Sequence, residues 1–165
     1  MKNTLSAFIF LMISISLSAQ KSNEITPYIG VQIETNTFPI GVQFRSQIKN
    51  HFWIAPDNSV SYGSSERKAI VNMNANLQYV IFFPNAVDFT SFYPLIGIGW
   101  NSYKSYKVPG STRDIGNGSA VLFNVGFGTD LNVTDTQFVR AEFKASFGDH
   151  RQNYFNIFLG YGFCF

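Results

Sequence analysis

The chain has 165 residues, of which 45% are hydrophobic and 13% charged, and its net charge is +2. So small a charge gives no electrostatic basis for binding nucleic acid, and a single cysteine excludes an intramolecular disulfide. Aromatic residues are abundant, with 18 Phe and 8 Tyr, so their distribution between the two faces of the predicted elements decides the fold class.

The first predicted element is a secretory signal. Lys2 precedes an apolar stretch over residues 5–17, which is shorter than the roughly 20 residues that a membrane-spanning helix needs. Ser18 and Ala19 follow as small residues suited to a cleavage site. We therefore expect a signal peptide over residues 1–19 and a mature domain over residues 20–165.

Alternation with a period of two dominates the mature chain. In 71–81 the odd positions are apolar or aromatic, while the even positions include three asparagines and a glutamine. Adjacent residues of a strand face opposite sides, so this pattern predicts a strand with one apolar and one polar face. Similar patterns in other segments predict strands at 27–35, 38–45, 51–62, 92–101, 120–131, 139–147 and 152–165. Pro56 and Asn58 interrupt the apolar face of 51–62, and there we expect a bulge or an early strand end.

The make-up of the two faces indicates which of them points inward. The polar faces hold few charges and many amides and glycines, which suits a narrow interior filled by side chains. The apolar faces are rich in aromatic residues, as expected for contact with lipid. Beyond residue 19 no apolar run is long enough for a membrane helix, and a closed barrel is the other way to pair every backbone group in lipid. The predicted fold is an all-β, transmembrane, antiparallel up-and-down barrel of eight strands.

The last strand adds a resemblance to a known family. Residues 153–165 carry aromatic or apolar side chains at alternate positions and end in Phe165, and residues 123–149 form a glycine-spaced strand, a short turn and an Arg-x-Glu strand. The chain thereby resembles the OmpX/OmpA-transmembrane-type outer-membrane β-barrels of Gram-negative bacteria. The resemblance implies integral outer-membrane localisation. It also implies that the barrel-assembly machinery recognises Tyr161, Phe163 and Phe165.

Charged residues on the predicted interior faces are candidates for a site. They are Glu34, Arg45, Asp57, Asp130, Arg140, Glu142 and Lys144. One interpretation is a paired network that fills the interior, because buried charges need partners. The other is a selective, porin-like pore. We favour the network, since eight strands leave room for side chains rather than for a water channel.

The predicted outward connections, near 36, 63–69, 102–119 and 148–152, are a second candidate. Five basic residues could meet lipopolysaccharide phosphates there: Arg67, Lys68, Lys104, Lys107 and Arg113. We therefore expect a monomeric barrel in contact with outer-membrane lipid and lipopolysaccharide, with a structural, adhesive or binding role through its outer loops.

An enzyme is the alternative from another class. Lipid A deacylases of similar size use a histidine, a serine and an acid, so His150 beside Asp149 has to be weighed. No serine lies in strand register with this histidine, and we expect no enzyme activity. The two histidines, His51 and His150, are too far apart in sequence for a metal motif, and we expect no cofactor.

Overall fold

Strands dominate the computed structural model, which describes residues 22–33, 36–63, 69–83, 89–104, 118–148 and 153–165. The strands are β1 (Asn23–Gln32), β2 (Thr37–Lys49), β3 (Phe52–Gly63), β4 (Ala69–Tyr79), β5 (Ile81–Phe82), β6 (Phe89–Lys104), β7 (Gly118–Thr134), β8 (Gln137–Gly148) and β9 (Asn153–Cys164). Within the described ranges, no helix has the length and apolar character needed to cross a membrane.

The strands form one closed antiparallel barrel. β4 and β5 act as a single barrel strand interrupted at Val80, because both pair with β6 in the same register. Each remaining strand pairs with its neighbours along the chain, and β1 pairs with β9 to close the sheet. At the seam, backbone hydrogen bonds of 3.1 and 2.9 Å join Asn23 and Phe165 in both directions. The predicted all-β barrel of eight strands is confirmed.

The observed strand bounds differ from the predicted ones by up to four residues, and the expected bulge is not where it was predicted. β1 begins at Asn23 rather than near residue 27, because Glu24 and Thr26 continue the inward alternation of the strand. The bulge expected at Pro56 is wrong: β3 pairs with β4 in one register from Phe52 to Tyr62. A register shift lies instead between Gln47 and Lys49 of β2.

Pro56 interrupts the pairing of β3 on one side only, because β3 pairs with β4 without a break through Pro56 and Ala75. The pairing of β2 with β3 skips the position of Pro56, yet it resumes at Ser46 and Ile54 in the register it had at Gln43 and Asp57. The missing N–H therefore removes a local contact on one side without shifting either ladder.

The two faces are oriented as predicted, with the apolar side chains outside. Outward examples are Phe38, Ile40, Leu77 and Ile98, while amides and charges are buried inside. The interior also contains aromatic rings that alternation alone did not identify: Tyr28, Trp53, Tyr93, Phe138, Tyr154 and Phe158. These rings occupy space beside inward glycines. A Cβ at Gly162 would collide with the ring of Phe138, and one at Gly128 with the ring of Tyr93.

Candidate functional site

A ring of four alternating charges lies in the interior of the barrel. The Nε atom of Arg45 is 2.7 Å from Glu24 Oε2, and its Nη2 atom is 2.6 Å from Asp130 Oδ2. Arg140 completes the ring, with Nη2 2.7 Å from Glu24 Oε2 and Nε 2.7 Å from Asp130 Oδ1. Each guanidinium thus contacts both carboxylates, and each carboxylate contacts both guanidiniums. All four side chains are buried, which such charges tolerate only when they are paired.

A second cluster is centred on Asp57. Its Oδ2 atom accepts hydrogen bonds from Lys144 Nζ at 2.8 Å and from Asn76 Nδ2 at 2.9 Å. Its Oδ1 atom accepts one from Asn74 Nδ2 at 2.7 Å. Asn124 then donates to the side-chain oxygens of both Asn74 and Asn76, at 3.0 and 3.1 Å. The asparagines that alternate along β4 therefore orient a carboxylate on the neighbouring strand.

Glu142 connects the two clusters. Its Oε2 atom accepts hydrogen bonds from Gln43 Nε2 at 3.1 Å and from Tyr93 Oη at 3.2 Å, and its Oε1 atom is 4.0 Å from Lys144 Nζ. Arg140 donates to the Oε1 atom of the same Gln43 at 2.7 Å. The interior polar groups therefore form one continuous network rather than separate ion pairs.

Aromatic rings cover the cations where carboxylates do not. The guanidinium carbon of Arg45 lies 4.7 Å from the centre of the Trp53 ring, and that of Arg140 lies 4.7 Å from the centre of the Phe138 ring. Lys144 Nζ lies 4.9 Å from the centre of the Phe158 ring. These distances are within the range of cation–π attraction, which is stronger in a water-poor interior.

Little free space is left beside this network. The cavity lined by Tyr28, Asp57, Arg140 and Glu142 has a volume of about 10 Å³. That is room for about one water molecule. Around these residues, the interior is filled by side chains.

The structure brings together six of the seven predicted interior charges: Arg45, Asp57, Asp130, Arg140, Glu142 and Lys144. The seventh, Glu34, lies outside the described residues. Sequence reasoning missed Glu24, because β1 was predicted to begin after it. The alternation of Glu24, Thr26 and Tyr28 with Ile25 and Pro27 was the signal that could have found it.

The other predicted residues lie away from the interior. Tyr161, Phe163 and Phe165 point outward along β9 and just beyond its end. Lys104 is the last residue of β6, whereas Arg67, Lys68, Lys107, Arg113 and His150 lie outside the described residues. In the part of the chain that the structure describes, no group of three or more His, Cys, Asp or Glu side chains could hold a metal ion.

Comparison with known proteins gives structural neighbours only. No family model and no curated protein matches the chain. The N-terminal β-barrel domain of Pseudomonas aeruginosa OprF is 17% identical, with a TM-score of 0.70 over 88% of this chain and 98% of that domain. Ail, the attachment invasion locus protein of Yersinia pestis, is 15% identical, with a TM-score of 0.61 over 89% of this chain and 100% of Ail. Neisserial surface protein A is 14% identical, with a TM-score of 0.55 over 87% and 93% of the two chains.

These neighbours are eight-stranded outer-membrane barrels of the OmpA/OmpX-like type. Because the sequence identities are only 14–17%, the structural similarity establishes the fold and nothing more specific. The chain therefore has the fold of a transmembrane barrel of the bacterial outer membrane, with its apolar side chains on the outside.

Proposed function

We propose that this chain, which has the fold of the OmpX/OmpA-type eight-stranded outer-membrane barrels, is an integral outer-membrane protein that binds anionic surface groups through its outer loops. The phosphates of lipopolysaccharide are the proposed ligands. The observation that carries this proposal is the filled interior, in which three cations and four carboxylates bind one another around a space of about 10 Å³. A barrel of this kind acts through its surface rather than by passing solutes.

The geometry of the two barrel ends supports an outward binding surface. One end holds Asn23, Phe165 and the short turns at 50–51 and 135–136. Bacterial barrels have short periplasmic turns and longer extracellular loops, so this end is assigned to the periplasm. The longest connection, 105–117, leaves the opposite end. A rigid barrel presents such loops together at the cell surface.

The charges of the outward segments favour an anionic ligand. Residues 33–36, 64–68, 104–117 and 149–152 contain six Lys or Arg and four Asp or Glu. Three of the basic residues, Lys104, Lys107 and Arg113, fall within the longest outward segment. Lysine and arginine are common phosphate binders, and a cluster of them is attracted to an anionic membrane surface.

Binding of purified lipopolysaccharide to the refolded barrel, measured by isothermal titration calorimetry, tests the proposal. The wild type should bind, and Lys104→Gln/Lys107→Gln/Arg113→Gln should bind about tenfold more weakly, as expected if ~1.4 kcal/mol of charge attraction is lost. Lys49→Gln, at the periplasmic end, is the control and should bind like the wild type. Sucrose octasulfate, the heparin analogue present in one of the Ail structures, is a second anionic probe. Equal binding by the triple variant and the wild type would overturn the proposal.

Two further measurements separate this function from the alternatives. Stable single-channel steps from the refolded protein in a planar bilayer would indicate a pore and contradict the surface role. A change in the acyl pattern of lipid A that depends on the gene, and that is lost in His150→Ala, would indicate an enzyme.

A further inference from the structure

An apolar groove runs over the lipid-facing surface of the barrel. Its volume is about 580 Å³, and its lining includes Phe83, Phe92, Phe127, Thr129, Ala141 and Phe143. The floor is formed where Thr129 of β7 pairs with Ala141 of β8. Both side chains are small, so the surface is lower here than at the rings around it. The hydroxyl of Thr129 donates to the backbone oxygen of Ser91 at 2.9 Å and needs no partner from outside.

Three phenylalanines of the groove, Phe92, Phe127 and Phe143, belong to a row of four rings that Phe155 completes. The centroids of Phe92 and Phe127 are 6.0 Å apart, those of Phe127 and Phe143 are 5.6 Å apart, and those of Phe143 and Phe155 are 6.1 Å apart. The row crosses β6, β7, β8 and β9 on the outside of the barrel. Each ring packs against the next, so the four rings form one continuous ridge on the outer surface.

We propose that this groove is a binding site for one acyl chain of a phospholipid. Its lining is apolar, and it is continuous with the lipid-facing surface, so hydrocarbon is the chemistry that fits it. A chain in the groove contacts the floor and the ridge together, which gives more dispersion contacts than a chain on a convex barrel surface.

The position of the groove indicates which leaflet supplies the lipid. Phe83 follows β5 directly, at the same barrel end as Asn23 and Phe165. The groove therefore extends from the periplasmic rim toward the middle of the barrel. A chain entering there comes from the phospholipid of the inner leaflet rather than from the lipopolysaccharide of the outer leaflet.

Native mass spectrometry of the full mature barrel tests the proposal. The protein is refolded into vesicles of phosphatidylethanolamine and phosphatidylglycerol and extracted with a mild detergent. The wild type should retain one phospholipid. Ala141→Phe fills the groove and should lower that occupancy by about tenfold, as expected when several buried methylene contacts are lost. Ala75→Phe is the matched control, because Ala75 also faces outward, on β4, and is not part of the groove.

Folding is checked for each variant by the change in gel mobility on heating. Thr129→Phe fills the same floor from the neighbouring strand and replaces Ala141→Phe if that variant does not fold. A wild type without retained phospholipid would overturn the proposal. So would equal retention by the groove-filling variant and Ala75→Phe. A dimer that Ala141→Phe abolishes would assign the groove to a second copy of the chain and overturn the lipid site.

Discussion

Lys144 and Asp57 form an ion pair across the full width of the barrel. The Nζ and Oδ2 atoms are 2.8 Å apart, although β8 and β3 are separated by three barrel strands on either side. Both side chains are almost completely buried. The bond therefore braces opposite walls of the barrel, a role that an apolar core plays in a soluble domain.

This relationship predicts a large effect from breaking the pair. Lys144→Met leaves the Asp57 carboxylate buried without its cation, and we expect a loss of about 3–5 kcal/mol in the free energy of unfolding. Urea unfolding of the barrel refolded in lipid vesicles measures it. Lys49→Met, an exposed lysine, should change stability little. The double variant Lys144→Met/Asp57→Asn should lose much less free energy of unfolding than the two single variants lose together. A loss equal to that sum would contradict the ion pair.

The contact between Gly162 and Phe138 predicts a pair of compensating substitutions. Gly162→Ala places a methyl group against the buried ring of Phe138 and should destabilise the barrel by about 1–3 kcal/mol. Phe138→Leu makes room, so the double variant should recover part of that loss. The thermal midpoint of the heat-dependent gel shift reports both effects. No recovery in the double variant would show that Gly162 is needed for another reason.

Asn58 is a polar residue on the outward side of β3, near the middle of the strand. An amide in hydrocarbon without a partner is unfavourable, so Asn58→Val should raise the free energy of unfolding in vesicles by about 1–2 kcal/mol.

The neighbouring Ser59 provides the opposite control for that prediction. It points into the barrel, where its hydroxyl accepts a hydrogen bond from Asn72. Ser59→Val should therefore lower stability. If Asn58→Val and Ser59→Val both raised the free energy of unfolding, the outward and inward faces would not differ in their preference for apolar side chains, and the prediction would be contradicted.

Phe165 is expected to act in assembly more than in stability. The residue is 72% exposed, so Phe165→Ala removes little packing, and its backbone bonds to Asn23 are retained. If the assembly machinery reads the end of β9, the variant should reach the outer membrane in several-fold lower amount. The purified, refolded protein should melt like the wild type.

Phe82→Ala is the matched control for that experiment. Phe82 is a similarly exposed ring, 50% accessible, on β5 near the same end of the barrel. It should be inserted normally. Equal defects in both variants would point to a general need for aromatic residues at the rim rather than to recognition of the last strand.

The sequence was sufficient to predict which side chains of a strand face inward and which face outward. Alternation in 71–81 predicted that Leu77 and Tyr79 face outward while Asn74, Asn76 and Gln78 face inward, because neighbouring side chains of a strand point to opposite sides. The same rule identified the inward charges of β8, Arg140, Glu142 and Lys144. The rule missed Glu24, because β1 was predicted to begin near residue 27 and Glu24 precedes that position.

Properties that depend on which strands become neighbours were decided only by the tertiary structure. Arg140 meets Glu24, 116 residues away, because β1 and β9 close the barrel beside β8. The register between β6, β7 and β8 places the small side chains of Thr129 and Ala141 next to the row of phenylalanine rings. The sequence by itself determined the face of each strand, since that is a local consequence of the pleat. The partners across the interior and along the outer surface follow from closure and register, which join segments far apart in the chain.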